Sequence, residues 1–191
     1  MKTVSKVVNH LGQLTKFRNL SRDELFSLAE CIDMPAPVEA EEILCTQGEI
    51  STTAFIVITG ELIGTMKFPG GSEEEIGRYR PGDIVGEISL IEISPRAMTV
   101  EASCTSDVLV IDKDRLDALR AKDNSGAYKF LHIVTQTLCD RLRENNLRAR
   151  SKYFGKAIHT PIQIDVTPEE DPLDRIKTAF ETLKTLLLKK F

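Results

Sequence analysis

The stretch Gly82-Asp83-Ile84-Val85-Gly86-Glu87-Ile88-Ser89-Leu90, continued by Pro95-Arg96-Ala97-Met98-Thr99-Val100, decides how the rest of the chain folds. Its pattern predicts the end of a strand, a glycine turn, one short helix and a new strand. Gly86 lets the backbone adopt a positive φ or approach a bound group closely. The turn at residues 85–87 directs backbone N–H groups into the first helical turn, where an anion binds readily.

Two charged side chains flank the predicted short helix. Arg96 carries a fixed positive charge, and its planar guanidinium suits a phosphate. Glu87 is an acceptor that suits sugar hydroxyls. A phosphate and a ribose held in one pocket make up a nucleotide, so the stretch predicts a nucleotide site. A surface turn with two solvated charges is the alternative interpretation.

The composition is typical of one soluble domain with an appendage, in a chain of 191 residues. Hydrophobic residues make up 41% and charged residues 28%, which predicts a packed core rather than disorder. The net charge of −4 gives no overall signature of nucleic-acid binding. The sequence shows neither a membrane-spanning apolar run nor a signal peptide, so we expect a cytoplasmic protein.

The cysteines and histidines do not indicate a metal centre. The four cysteines are far apart and none forms a CxxC pair, so we expect free thiols in a reducing compartment. The three histidines are isolated from one another. No nucleophile–base pair is recognisable, and the sequence therefore predicts no enzyme, no metal and no cofactor.

Helices are predicted on both sides of a region of short strands. Residues 6–33 are predicted to be helical, with a capping box at Ser21 and Glu24. From residue 38 to residue 112, apolar segments alternate with turn signals, which predicts a β-sandwich or barrel. Helix returns at residues 113–119 and again from Ser125. The second of these helices has an apolar stripe of Ala127, Leu131, Val134, Leu138 and Leu142.

The C-terminal part of the chain has a different pattern. Residues 141–150 are basic, and we interpret them as a solvated helix end whose cations suit the helix dipole. Residues 160–166 alternate like an edge strand or an extended arm. A capped helix is predicted from Asp171, and it is too short to be stable alone. Its apolar positions have coiled-coil spacing: Leu173, Ile176, Phe180, Leu183 and Leu187.

This order of elements resembles the cyclic nucleotide-binding domain family. The resemblance covers roughly residues 12–148 and is strongest in the phosphate-binding cassette, residues 86–100. Supporting motifs are Gln47-Gly48-Glu49, Phe55-Ile56-Val57-Ile58-Thr59-Gly60-Glu61 and Pro81-Gly82-Asp83. The resemblance implies an α+β fold with N-terminal helices, an eight-stranded antiparallel β-roll that is jelly-roll-like, a short phosphate-binding helix and C-terminal helices.

The resemblance also implies domain boundaries. Residues 1–150 form the cyclic nucleotide-binding domain, with the β-roll at 36–112 and closing helices at 113–150. Residues 151–191 form a C-terminal arm and an amphipathic helix. We expect a stand-alone domain without a helix-turn-helix.

Residue by residue, the resemblance implies a ligand site in the cassette. Arg96 matches the arginine that pairs with the cyclic phosphate, and Glu87 matches the glutamate that binds the ribose 2′-hydroxyl. Gly86, Ile88 and Ser89 match a turn whose backbone N–H groups meet phosphate and sugar oxygens. The remaining predicted ligand-binding residues are Val85, Pro95, Ala97 and Met98.

Some positions depart from the family pattern. Val85 replaces a common aromatic, Glu41-Glu42 stands where a glycine is expected, and Ser89 and Met98 replace alanines. The Ser89 hydroxyl either adds a donor at the phosphate end or is a neutral substitution. Ala97 lacks a threonine hydroxyl that holds guanine in some relatives, which favours cyclic AMP over cyclic GMP.

The base end of the site depends on the last helix, which closes over the purine in the family. Aligning Arg141-Leu142 with the end of that helix places Asn145 and Asn146 near the base, where asparagine pairs with the adenine edge. Two exposed helix-end asparagines are the alternative. Stacking by Tyr153 or Phe154 is another.

The resemblance implies a non-enzymatic cyclic nucleotide sensor. Ligand binding would move the C-terminal helices, which would relay it to a partner protein or across a homodimer. Two alternatives stay open: an assembly domain of the same fold without nucleotide response, and a transcription regulator supported only by the basic helix end.

Overall fold

A computed structural model describes the backbone of residues 2–34 and 37–154. The chain begins with α1 (Lys2–Gln13), a 3-10 turn (Thr15–Phe17) and α2 (Arg22–Ala29). The capping box on α2 is present: the Ser21 hydroxyl accepts from the Glu24 N–H, and the Glu24 carboxylate accepts from the Ser21 N–H.

Eight strands form two four-stranded antiparallel sheets within the described residues, which confirms the predicted β-roll. In chain order the strands are β1 (Ile32–Asp33), β2 (Ile43–Cys45), β3 (Thr53–Thr59), β4 (Leu62–Lys67), β5 (Glu73–Tyr79), β6 (Ile84–Val85), β7 (Thr99–Ala102) and β8 (Asp107–Asp112). One sheet has the order β1-β8-β3-β6, and the other has the order β2-β7-β4-β5.

Three helices complete the described fold: α3 (Ile88–Ile91), α4 (Lys113–Arg120) and α5 (Ser125–Phe154). The stripe predicted on α5 is buried only in its first part. Ala127 and Val134 are buried, and Leu138 packs against the core. Leu142 is 62% exposed, so the prediction that it belongs to the buried face was wrong.

The helical prediction for residues 6–33 was also wrong at its C-terminal end. Ile32 and Asp33 pair with Ile111 and Val110 of β8 instead of continuing α2. Ile32 is buried in this position. An isoleucine fits a half-buried strand well, and the partner strand that decides between helix and strand is distant in sequence.

The turn before β2 contains a residue other than glycine in the left-handed conformation. Glu41, where the family pattern has a glycine nearby, has a φ of 69°. This conformation costs a non-glycine residue roughly 1 kcal/mol. The Glu41 N–H donates to the Ala102 carbonyl at 2.7 Å, which helps to hold the turn in place.

Alternation along β3 and β6 divides the core into two parts. Ile56 and Ile84 face the helices, where the Phe17 and Phe130 rings stack with centroids 6.0 Å apart. Val57 and Val85 belong to the second cluster, which includes residues of both sheets. Successive strand residues point to opposite faces, so Ile84 and Val85 pack against different clusters and both faces of the short β6 are buried. The cassette begins directly after this buried strand.

The predicted strand or arm at residues 160–166 and the helix from Asp171 lie outside the described residues. The side chains of Tyr153 and Phe154 also lie outside them. None of the described helices combines the length and the apolar character needed to cross a bilayer.

Candidate functional site

A pocket opens along the cassette, and β2 and β7 contribute to its walls. The nine cassette residues named from the sequence all line it: Val85, Gly86, Glu87, Ile88, Ser89, Pro95, Arg96, Ala97 and Met98. Cys45, Ser94 and Val100 complete the lining, and sequence reasoning did not find them. No local signal marked Cys45, which reaches the pocket because it pairs with Val100 across the sheet.

The backbone of Arg96 is fixed by the Gln47-Gly48-Glu49 motif. The Arg96 N–H donates to the Glu49 carbonyl at 2.8 Å, and the Gly48 N–H donates to the Arg96 carbonyl at 2.8 Å. The Gln47 side chain is in turn tied to the backbone of Lys67 by two hydrogen bonds. The motif therefore sets where the Arg96 side chain enters the pocket.

The Arg96 side chain is buried, with 6% exposure. Its Nη2 donates to the hydroxyls of Ser51 at 2.9 Å and Thr53 at 3.1 Å. Its Nη1 donates to the Ser89 hydroxyl at 3.3 Å and lies 3.5 Å from the Gly86 carbonyl. Its Nε has no hydrogen-bond partner within the described residues.

All of these acceptors are neutral. Among the residues that the structure describes, no carboxylate lies within ion-pair distance of Arg96. A buried cation without a counter-charge is costly, so this pocket favours an anion at the guanidinium.

Gly86 makes room for this guanidinium. Its φ is 75°, and a Cβ built on it would lie 2.1 Å from Arg96 Nη1 and 3.3 Å from the Thr53 carbonyl. Position 86 therefore needs glycine for both its backbone conformation and the space beside Arg96.

Glu87 is buried, with 3% exposure, and it is paired with Arg141 of α5 rather than with Arg96. Arg141 Nη1 donates to Glu87 Oε1, and Nη2 donates to the Ile84 carbonyl. The Arg141 guanidinium also lies over the Tyr79 ring, with Cζ 5.0 Å from the centroid. The residue predicted to bind ribose thus connects the cassette to α5.

This contact corrects the sequence interpretation of the basic helix end. Arg141 is not a solvated end residue, because its guanidinium is held by Glu87, Ile84 and Tyr79. Its exposed fraction is 26%, against 73% for Arg143. The pairing joins residues 54 positions apart, and no local pattern in the sequence signals it.

The short helix α3 uses some of its N–H groups internally. The Ser89 N–H donates to the Gly86 carbonyl, and the Leu90 N–H donates to the Glu87 carbonyl, each at 3.1 Å. The contact of ligand oxygens with the backbone N–H groups of Gly86, Ile88 and Ser89 stays a prediction.

Another part of the pocket wall is apolar and includes Cys45, Met98 and Val100. Burial raises the pKa of the Cys45 thiol, although the positive charge of Arg96 opposes the rise. Cys45 is therefore a neutral wall residue at ordinary pH. Asn145 and Asn146 are exposed and do not line the pocket, so their contact with a base stays a prediction.

No group of three or more histidine, cysteine, aspartate or glutamate side chains is arranged to hold a metal ion in the described part of the chain.

The family model of the cyclic nucleotide-binding domain matches residues 35–123. This segment contains β2 to β8, the cassette and α4, and it ends before α5. This match covers a little under half of the chain, and together with the fold and the cassette pocket it shows that residues 35–123 are similar to the cyclic nucleotide-binding domain family.

Solved structures show the same fold. A cyclic nucleotide-binding domain from Methylobacillus flagellatus KT is 25% identical, with a TM-score of 0.69 over 81% of this chain and 86% of that chain. The regulatory domain of Toxoplasma gondii PKA, solved with cAMP, is 23% identical, with a TM-score of 0.60 over 75% of this chain and 51% of that chain.

Among curated proteins, the chain is similar to part of a much longer relative. Patatin-like phospholipase domain-containing protein 6 of Pongo abelii is 26% identical over 130 residues. The matched segment covers 68% of this chain and 9% of that protein.

We predict that Gly86→Ala destabilises the protein more than Gly70→Ala does. Both glycines have positive φ, but nothing lies within 4 Å of a Cβ at Gly70. Gly70→Ala should cost roughly 1–2 kcal/mol from the backbone alone. Gly86→Ala adds the collision with Arg96, and urea unfolding of the two variants measures the difference. Equal losses would show that the contact with Arg96 does not constrain position 86.

Proposed function

We propose that this chain is a cyclic nucleotide sensor that binds cyclic AMP in the cassette pocket and relays binding through α5. The observation that carries this proposal is the buried Arg96, which has only neutral hydrogen-bond partners in the described structure. A cyclic phosphodiester carries one negative charge and would neutralise this one positive charge. The unpartnered Nε of Arg96 supplies a further donor for a phosphate oxygen.

The ribose would lie at Glu87, next to the phosphate. The Glu87 carboxylate is an acceptor for the 2′-hydroxyl. The apolar wall of Cys45, Met98 and Val100 offers a surface for the purine. Ala97 has no hydroxyl to hold guanine, which supports cyclic AMP as the ligand.

The relay follows from the present partner of Glu87. A ribose hydroxyl at this carboxylate would take over part of the hydrogen bonding that Arg141 now makes. Ligand binding would therefore weaken one anchor of α5, and the helix would respond according to the difference in free energy between its two positions. The buried carboxylate thus connects occupancy of the pocket with the position of α5.

The ligand is tested by thermal unfolding with cyclic AMP, with cyclic GMP and with neither. Cyclic AMP at 100 times its dissociation constant should add about 2.7 kcal/mol of stability. Arg96→Ala should weaken cyclic AMP binding by about 10²- to 10³-fold, because it leaves a phosphate charge unpaired in a buried site. Arg120→Ala, an exposed arginine of α4 that pairs with Asp117, is the control.

The absence of a shift with either nucleotide would contradict a sensor and favour an assembly domain of the same fold. Unchanged binding by Arg96→Ala would contradict the assigned site.

The relay is tested by hydrogen exchange along α5, with and without cyclic AMP. We expect Arg141→Ala to speed amide exchange near residue 141 without ligand, because the helix loses its bonds to Glu87 and Ile84. Cyclic AMP should then change exchange in this region less than it does in the wild type. Arg143→Ala, whose partner Asp140 is on the same helix, should behave like the wild type. A ligand effect of equal size in Arg141→Ala and the wild type would overturn the relay.

A further inference from the structure

Three hydroxyl groups surround the Arg96 guanidinium, and we name this set the hydroxyl clamp: Ser51, Thr53 and Ser89. Ser51 and Thr53 do not belong to the pocket lining, and the sequence motifs assign them no role. Ser89 lines the pocket and is 3% exposed.

The clamp holds the guanidinium from two elements of the fold. Thr53 begins β3 and Ser51 lies just before it, and both accept hydrogen bonds from Nη2. Ser89 is on α3 and accepts a hydrogen bond from Nη1. The guanidinium is therefore fixed at both terminal nitrogens by groups that carry no charge.

The three residues differ in their access to the pocket, because only Ser89 lines it. Arginine only donates, so each hydroxyl oxygen acts as an acceptor toward Arg96. The hydroxyl oxygens of Ser51 and Thr53 are 3.1 Å apart, and one of these hydroxyls donates to the other. The second proton of this pair and the proton of Ser89 are both available to groups other than Arg96, but of the three residues only Ser89 lines the pocket in which the ligand would lie.

We propose that Ser89 donates its hydroxyl proton to a non-bridging phosphate oxygen of the ligand, while Ser51 and Thr53 are positioning residues that orient Arg96 for the same phosphate. This inference rests on the proposed function. It favours a Ser89 hydroxyl that adds a donor at the phosphate end over a neutral substitution, because this hydroxyl is hydrogen-bonded to Arg96, the residue assigned to the phosphate.

The neutral character of the clamp explains why it would favour binding. A carboxylate in the place of Ser51 or Thr53 would pair with Arg96 and would compete with the incoming anion. A hydroxyl fixes the geometry of the guanidinium without neutralising it, so the positive charge would be available to pair with the ligand phosphate. Orienting Arg96 in advance also reduces the conformational entropy that binding would otherwise cost.

Calorimetric titration of the full chain with cyclic AMP tests the positioning role. Thr53→Val keeps the shape of the side chain but removes its hydroxyl, and it should weaken binding about fivefold. Thr53→Ser restores the hydroxyl and should stay within about twofold of the wild type. Thr59→Val removes a hydroxyl from the other end of β3, where it bonds Asp107, and it is the matched control. Melting of each variant without ligand checks that the fold is intact.

The direct contact of Ser89 is tested with the two phosphorothioate diastereomers of cyclic AMP, in which sulfur replaces one or the other non-bridging oxygen. Ser89→Ala should weaken cyclic AMP binding about tenfold, as expected for a lost bond to a charged group. It should also change the ratio of affinities for the two diastereomers, because Ser89 contacts one oxygen in particular. Thr53→Val should leave this ratio unchanged.

The outcomes separate this inference from the proposed function. If the wild type binds cyclic AMP and both Thr53→Val and Ser89→Ala bind equally well, the clamp has no role and this inference alone is overturned. An altered affinity of Ser89→Ala with an unchanged diastereomer ratio would overturn the direct contact. If the wild type binds neither cyclic nucleotide, the proposed function and this inference are both overturned.

Discussion

The buried positive charge of Arg96 is the constraint on which the rest of the site depends. Its backbone is tied to the Gln47-Gly48-Glu49 turn, and its guanidinium occupies space that only a glycine at position 86 leaves open. Its two terminal nitrogens donate to hydroxyls. Within the described residues it has no acidic partner. Such an arrangement costs free energy unless an anion completes it, which is why the pocket is best explained as a binding site.

The second buried charge, Glu87, differs from Arg96 because it has an oppositely charged partner. It is compensated by Arg141, a residue from the last described helix. Within the described residues, the pocket therefore contains one charge without an oppositely charged partner and one charge that is paired with a residue of α5. In the proposed sensor, the charge of Arg96 would provide affinity for the ligand, and the charge of Glu87 would allow the ligand to change the position of α5.

Much of this could be predicted from sequence because the signals are local. Alternating strands, glycine turns and the spacing of Glu87 and Arg96 fall within short windows, and all nine predicted cassette residues line one pocket. The errors involve distant partners. Ile32 and Asp33 form a strand because β8 lies beside them, and Arg141 turns inward because Glu87 and Tyr79 lie there. Nothing in the segment from Ser51 to Thr53 identifies it as a holder of Arg96, since that role appears only in three dimensions.

The most direct measurement is the side-chain NMR signal of Arg96 Nε–H, assigned by its loss in Arg96→Lys. On saturation with cyclic AMP, we expect a large shift of this signal, slower exchange of its proton with water and a coupling to the ligand phosphorus. These changes report a new hydrogen bond from the buried nitrogen to phosphate. A signal that stays unchanged at saturating cyclic AMP would contradict the placement of the phosphate at Arg96.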